Sequence, residues 1–191
     1  MSKGRLEAFS DGVIAILITI MVLELKVPHG EDWAALRPLV PAFSTYVLSF
    51  VFLGIYWNNH HHLLHATDRI DGRVLWANLH LLFWLSLVPV TTGWVGDSHL
   101  APLPTALYGA DLLLAAIAYT ILQAAILARQ GSGSRLASAV GKDFKGKVSL
   151  ALYALAIALA FVRPWISVAL YVLVALIWFV PDRRIERVLS R

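Results

Sequence analysis

Residues 12–23 read Gly-Val-Ile-Ala-Ile-Leu-Ile-Thr-Ile-Met-Val-Leu and contain no charged side chain, although Asp11 and Glu24 flank them directly. Extended by a few residues on each side, this apolar run is long enough for a helix that crosses the hydrocarbon core of a bilayer. We therefore predict a membrane-spanning helix over residues 5–26. It is not expected to be a cleaved signal peptide, because no small-residue cleavage site follows it.

The rest of the chain repeats this pattern of long stretches without charged residues. The predicted spans are about 5–26, 38–63, 72–95, 104–129, 146–162 and 164–181. Seven of the eight prolines lie at or near the ends of these spans, whereas Pro89 lies inside the third one and predicts a kink. The pattern predicts an all-α membrane protein with six transmembrane helices per subunit, formed by a single domain over residues 1–191.

The composition agrees with a chain that lies mostly in lipid. Hydrophobic residues make up 59% of the 191 positions, charged residues only 15%, and the mean hydropathy is +0.70. A soluble domain has about a quarter charged residues, so a soluble enzyme, a disordered chain and a water-soluble nucleic-acid-binding protein are excluded. The absence of cysteine excludes disulfides, thiolate metal sites and a cysteine nucleophile.

The net charge of +4 is a topological signal, because the basic residues are distributed unevenly between the two ends of the spans. Thirteen of the sixteen Lys and Arg residues lie at the two termini and in the second and fourth connections, and only Lys26, Arg37 and Arg163 lie on the other side. Cytoplasmic loops carry the excess of Lys and Arg, so both termini are predicted to be cytoplasmic. The Gly/Ser-rich basic segment 130–146 is predicted to be a flexible cytoplasmic loop near anionic headgroups.

Placing a polar residue inside a membrane span costs free energy, so such residues mark functional sites. His60-His61-His62-x-x-His65 resembles one histidine box of the membrane di-iron oxygenases, whose imidazoles bind iron. Those enzymes need several boxes, and outside this cluster the chain has only His29, His80 and His99. We therefore favour a polar helix end in which one or two histidines bond to a carboxylate of the first helix, with a metalloenzyme as the weaker alternative.

A second alternative comes from the intramembrane carboxylates. Asp11, Glu24 and Asp111, together with the histidines, are the residue types that a proton- or cation-coupled secondary transporter uses. Such transporters commonly contain internal repeats and broken helices. No internal repeat is evident in this sequence, which disfavours a transporter.

A more specific signal precedes the opening apolar run. Arg5-Leu-Glu-Ala-Phe9-Ser10-Asp11 resembles the Arg-x-x-x-Phe-Ser-Asp signature of the transmembrane protein 175 family, the lysosomal and prokaryotic potassium channels. Two further patches are similar to the second and third helices of that family: Trp57-x-x-His60-His61, and Asn78-Leu79 with Pro89-x-Thr91. Together these motifs cover about the first half of the chain.

The resemblance implies a homotetrameric potassium channel in the plasma membrane of a prokaryote, with four copies of helix 1 lining a central pore. It implies no enzymatic activity, no cofactor and no metal site; the partners are other copies of the chain, K⁺ and membrane lipids, and no nucleic acid. The Thr-Val-Gly-Tyr-Gly filter is absent from the sequence, as the resemblance implies. By position, Ile16 is the narrowest constriction, Thr19 contributes to selectivity, and Ile20 and Leu23 form further apolar layers.

Helical geometry supports these pore assignments independently. With about 100° per residue, Ile20, Leu23 and Thr19 lie within about 60° of Ile16 on one stripe, which Phe9, Gly12 and Val27 extend. Periodicity alone favours an ordinary packing stripe, whereas the motif favours a pore.

The remaining motif residues lie on the other side of the same helix. Ser10 and Asp11 lie about 120° and 140° from Ile16, on opposite sides of it, and so point away from the stripe. They are predicted to face helices 2 and 3, where Trp57, His60, His61 and Asn78 satisfy their hydrogen bonds.

Overall fold

A computed structural model describes residues 2–67, 70–130 and 143–179, and within these ranges all regular structure is helical. The α-helices are α1 (Lys3–Ile20), α2 (Val40–His65), α3 (Gly72–Leu85), α4 (Val88–Asp97), α5 (Pro102–Gln130), α6 (Phe144–Ala160) and α7 (Pro164–Phe179). Two 3₁₀ turns, Met21–Glu24 and Trp33–Leu39, lie in the first connection.

The first and third predicted spans differ from the observed helices. The first was predicted to continue to residue 26, but the α-helix ends at Ile20, tightens into the 3₁₀ turn and becomes extended at Leu25. The third was predicted to be one kinked helix, but it is two helices separated at Ser86 and Leu87. Pro89 explains the break, because proline has no N–H to donate to the carbonyl four residues earlier.

The basic loop predicted at 130–146 is shorter than expected at both ends. Gln130 is still part of α5, and α6 already begins at Phe144, where Asp143 caps its first turn through the N–H of Gly146. The rest of the predicted loop, residues 131–142, lies outside the described residues, as does the end of the sixth predicted span beyond Phe179.

Several helices are long and apolar enough to cross a membrane. Four segments meet this criterion by length and composition, namely Lys3–Glu24, Trp33–His65, Gly72–Asp97 and Pro102–Gln130. The described part of α7 is a shorter apolar helix, and the 17 residues of α6 span about 26 Å. The all-α membrane class is therefore confirmed.

Two hydrophobic cores share the long helix α5. Buried residues of α1, α2, α3 and the second half of α5 form most of the first core, which includes Ile14, Leu53 and Leu81. Nearer the start of α5, Tyr108 packs with Tyr171 and other residues of α2, α4, α6 and α7. Helix α1 makes its main contacts with α2, α3 and α4, which places it towards one edge of the described bundle.

The end of α5 is attached to the connection between α2 and α3. Arg129 Nε lies 3.1 Å from Asp71 Oδ2, and Gln130 donates a 2.7 Å hydrogen bond to the carbonyl of Ala66. The other carboxylate oxygen of Asp71 caps α3 by accepting a bond from the Val74 N–H. This N–H and the Arg129 guanidinium lower the pKa of Asp71 below its ordinary value.

Helices α2 and α4 are in close backbone contact at a glycine. A Cβ added at Gly96 would lie 2.8 Å from the Cα of Ala42, whereas a Cβ added at Gly54 of α2 would meet nothing within 4 Å. Small residues allow membrane helices to pack backbone against backbone, so Gly96 fixes the distance between these two helices.

We expect Gly96→Ala to destabilise the protein by about 1–3 kcal/mol, because the new methyl group must displace the backbone of α2. The control variant Gly54→Ala should be neutral or slightly stabilising. Thermal unfolding in detergent, followed by size exclusion, measures both. Equal stability of the two variants would show that the close contact between α2 and α4 does not limit the stability of the protein.

Candidate functional site

Helix α1 has one buried face and one exposed apolar face. The buried residues are Leu6, Ser10, Ile14 and Leu17. The predicted pore stripe lies on the opposite face, where Phe9, Gly12, Ile16, Thr19 and Ile20 are all exposed. Ile16 has 59% of its surface accessible in the single chain. A large uncovered apolar face on a membrane helix is available to lipid or to another copy of the chain.

The 3₁₀ turn changes the far end of this stripe. A 3₁₀ helix rotates by about 120° per residue, so Leu23 lies close to the azimuth of Ile20 and not on the other side of Ile16. Leu23 has 78% of its surface accessible. Val27 lies in the irregular chain after the turn, so the prediction that it extends the helical stripe was wrong.

Thr19 combines exposure with a local hydrogen bond. Its Oγ1 donates a 2.8 Å bond to the carbonyl of Ile16, one turn earlier in the same helix. This bond uses the only proton of the hydroxyl and leaves its oxygen lone pairs free to accept. The exposed face of α1 therefore carries one oxygen ligand between the side chains of Ile16 and Ile20.

A buried three-residue chain connects the opposite face of α1 to two other helices. Asn78 of α3 donates through Nδ2 to Ser10 Oγ at 2.9 Å, and its Oδ1 lies 2.6 Å from His60 Nε2 of α2. All three side chains are buried. Because Oδ1 of Asn78 is an acceptor, His60 must carry its proton on Nε2, and the amide joins α1, α2 and α3 at one point.

Asp11 has a separate partner. Trp57 Nε1 of α2 donates a 3.0 Å bond to Asp11 Oδ1, and the indole ring stacks on His61 with ring centroids 6.2 Å apart. His61 in turn stacks on His65. The prediction that one or two histidines bond to a carboxylate of the first helix is not what the described residues show, because His60 bonds to Asn78 and Asp11 accepts its bond from Trp57.

Arg5, the first residue of the motif, is exposed and forms no ion pair with any residue that the structure describes. Lys3 lies in contact with the end of α2 instead, where its Nζ donates a 2.7 Å bond to the carbonyl of His65. Across the described ranges, no group of three or more His, Cys, Asp or Glu side chains has a geometry that would hold a metal ion. Within the histidine cluster, His61 stacks on His65 and meets His62 edge-on, whereas His60 bonds to Asn78.

The sequence did not predict a second polar network between α2, α4 and α5. Thr92 Oγ1 donates to Ser49 Oγ at 2.7 Å, and Ser49 lies 2.9 Å from the hydroxyl of Tyr108. Beside it, Thr91 donates a 3.2 Å bond to Asp111 Oδ2, while Oδ1 of Asp111 is buried without a hydrogen-bond partner among the described residues. These side chains lie inside one subunit, away from the exposed face of α1.

Comparison with known proteins places this arrangement among channels. Residues 5–89 match the family model described as endosomal/lysosomal potassium channel TMEM175. The chain is 56% identical over 190 residues to a potassium channel of Chryseobacterium sp. (strain P1-3), and the alignment covers 100% of this chain and 99% of that protein. It is also 38% identical over 96 residues to the human endosomal/lysosomal proton channel TMEM175, of which the match covers 19%.

A solved structure is similar as well. The crystal structure of a lysosomal potassium-selective channel TMEM175 homolog from Chamaesiphon minutus matches with a TM-score of 0.82 and 29% sequence identity. The match covers 94% of this chain and 97% of that one, so the similarity extends over nearly the whole chain.

We expect Asn78→Ala to lower the stability of the folded protein by about 1–3 kcal/mol for each buried group that it leaves unpaired, which are Ser10 and His60. Asn58→Ala serves as the control, because Asn58 is only partly buried and has no such bridging role. Thermal unfolding in detergent and size exclusion report the difference. Equal losses of stability in the Asn78→Ala and Asn58→Ala variants would contradict a specific role for the Asn78 bridge.

Proposed function

Because the chain belongs to the TMEM175 family, we propose that it functions as a potassium channel in which the exposed face of α1 lines the pore. Its relatives are ion channels and not enzymes, so the metalloenzyme alternative is set aside, and no observation favours the coupled transporter. The single observation that carries the pore assignment is the orientation of α1, in which Ser10 and Asp11 bond to α3 and α2 while Ile16, Thr19 and Ile20 are exposed.

The proposed subunit crosses the membrane six times, with α3 and α4 forming one broken span and both termini in the cytoplasm. Exposed aromatic residues near the helix ends support this arrangement. Trp33, Trp94 and Trp165 lie near the ends that would face outwards, and Trp76 and Phe144 near the ends that would face the cytoplasm. Aromatic residues gather in this way at the two membrane–water interfaces.

The proposed assembly is a homotetramer in the plasma membrane of a prokaryote. Helix α1 lies at the edge of its own bundle, and its uncovered face contains few polar groups. Four copies around a fourfold axis would bring the stripes together and bury the flanks of each α1 against its neighbours. The pore would then be a series of apolar rings at Ile16, Ile20 and Leu23, interrupted by four Thr19 hydroxyls.

A ring of isoleucines controls ions through hydration. When the ring is narrow it excludes water, and the pore is shut. When it widens slightly, an entering cation sheds part of its hydration shell and receives no oxygen ligand from Ile16 in return. K⁺ loses water at a lower cost than Na⁺ because it is larger, so the ring passes K⁺ preferentially, and the Thr19 oxygens one turn away replace part of the lost shell.

We expect Ile16→Asn to increase K⁺ flux into liposomes, because a polar side chain wets the constriction and holds it open. The matched control is Ile121→Asn, which places the same change on an exposed isoleucine of α5. Unchanged flux and selectivity in the Ile16 variant, in protein that still assembles, would refute the assignment of Ile16 as the gate.

We expect Thr19→Ala to retain conduction but to reduce the preference for K⁺ over Na⁺, because the proposed pore loses the four Thr19 hydroxyl oxygens. Thr120→Ala is the control, since Thr120 is also exposed and also donates to a carbonyl of its own helix. Reversal potentials of purified protein in planar bilayers, measured under K⁺/Na⁺ gradients, compare the two. The same reversal potential for Thr19→Ala and wild type would exclude Thr19 from the filter.

A further inference from the structure

The segment that follows α1 and contains Leu23 is attached to α4 by an ion pair. Lys26, two residues after the 3₁₀ turn, places its Nζ 2.9 Å and 3.0 Å from the two carboxylate oxygens of Asp97, the last residue of α4. Among the described residues, this ion pair is the only hydrogen bond or salt bridge that joins the segment 22–30 to another helix.

The carboxylate of Glu24 lies against the same helix. A Cβ added at Gly93 of α4 would be 3.0 Å from Glu24 Oε2 and 3.5 Å from its Cδ. The bare backbone of Gly93 therefore gives the 3₁₀ turn room to lie directly on α4. The contact between Glu24 and Gly93 and the pair between Lys26 and Asp97 both hold the C-terminal end of the turn against α4.

We infer that Lys26 and Asp97 are positioning residues for ion selection, because they hold the 3₁₀ turn on α4 and so fix the position of the Leu23 ring. This inference rests on the proposed pore along α1. Neither side chain needs to face the permeating ion: the pair acts through the four-residue turn between Ile20 and Leu25. When the pair is broken, the turn is free to move and the apolar ring loses its fixed diameter.

The exposure of the pair limits its strength and makes it sensitive to salt. The side chains of Lys26 and Asp97 have 68% and 57% of their surfaces accessible. Exposed ion pairs of this kind shift the equilibrium between the attached and the detached turn by at most about five-fold. Screening weakens them further, because the Debye length falls from about 10 Å at 0.1 M salt to about 3 Å at 1 M.

The decisive experiment compares two variants of opposite charge change, Lys26→Gln and Asp97→Asn. Purified protein in planar bilayers gives the K⁺/Na⁺ permeability ratio from the reversal potential, together with the conductance. We expect both variants to lower the permeability ratio in the same direction, by about two- to five-fold, because each removes the same attachment. The permeability ratio of the double variant should be no lower than that of either single variant. The charge-swapped protein, Lys26→Asp with Asp97→Lys, should recover the wild-type ratio.

A purely electrostatic effect of surface charge predicts a different result. Removing a positive charge raises the local cation concentration and removing a negative charge lowers it, so the conductances would change in opposite directions with an unaltered permeability ratio. That outcome would overturn the inference. Glu31→Gln is the matched control, because it removes an exposed negative charge that has no hydrogen-bonded or ion-paired partner among the described residues, and its permeability ratio should equal that of the wild type.

Ionic strength provides a second measurement that does not depend on folding of a variant. Adding N-methyl-D-glucamine chloride, an impermeant salt, to the side that contains Lys26 should move the wild-type permeability ratio towards the value of the double variant. The double variant itself should not respond, and a response of equal size in both would overturn the inference. Absence of any K⁺ current in wild-type protein would instead refute the proposed channel function, so the two failures are distinguishable.

Discussion

The side-chain amide of Asn78 is the interaction on which the orientation of α1 depends. It has one donor and one acceptor engaged in a buried site, and these reach Ser10 on α1 and His60 on α2. Losing either bond would leave a polar group without a partner in an apolar environment, which costs free energy. Because Ser10 lies on the face of α1 opposite to Ile16, fixing Ser10 inwards turns the isoleucine stripe outwards.

The two hydrophobic cores that share α5 hold different helices in place. The core on the side of α1 contains aliphatic residues and the Asn78 bridge, whereas the other core is built around tyrosines of α5, α6 and α7. The hydroxyl of Tyr171 bonds to the carbonyl of Thr105, and its ring occupies the space over Gly109. The second core therefore holds α7 against α5, and it leaves the packing of α1 to α2, α3 and α4.

The sequence predicted the helical class and the polar face of α1 because both depend on local patterns, namely charge-free runs and a 3.6-residue period. The 3₁₀ turn after Ile20 and the complete break before Pro89 were not predictable, because tertiary contacts decide how a helix ends. The bond from Thr92 to Ser49 was missed for a related reason. Hydroxyls in membrane helices commonly bond within their own helix, and sequence does not distinguish these from hydroxyls that bridge.

The break between α3 and α4 separates two attachments of the first part of the chain. Helix α1 is joined to α3 through Asn78, and the segment after α1 meets α4 at Gly93 and Asp97. The two helices on either side of the break thus contact different parts of residues 3–26. Tilting α4 about Ser86 and Leu87 would work as a lever of ten residues on the 3₁₀ turn while the contact at Asn78 stays in place. A continuous helix would have had to move both attachments together.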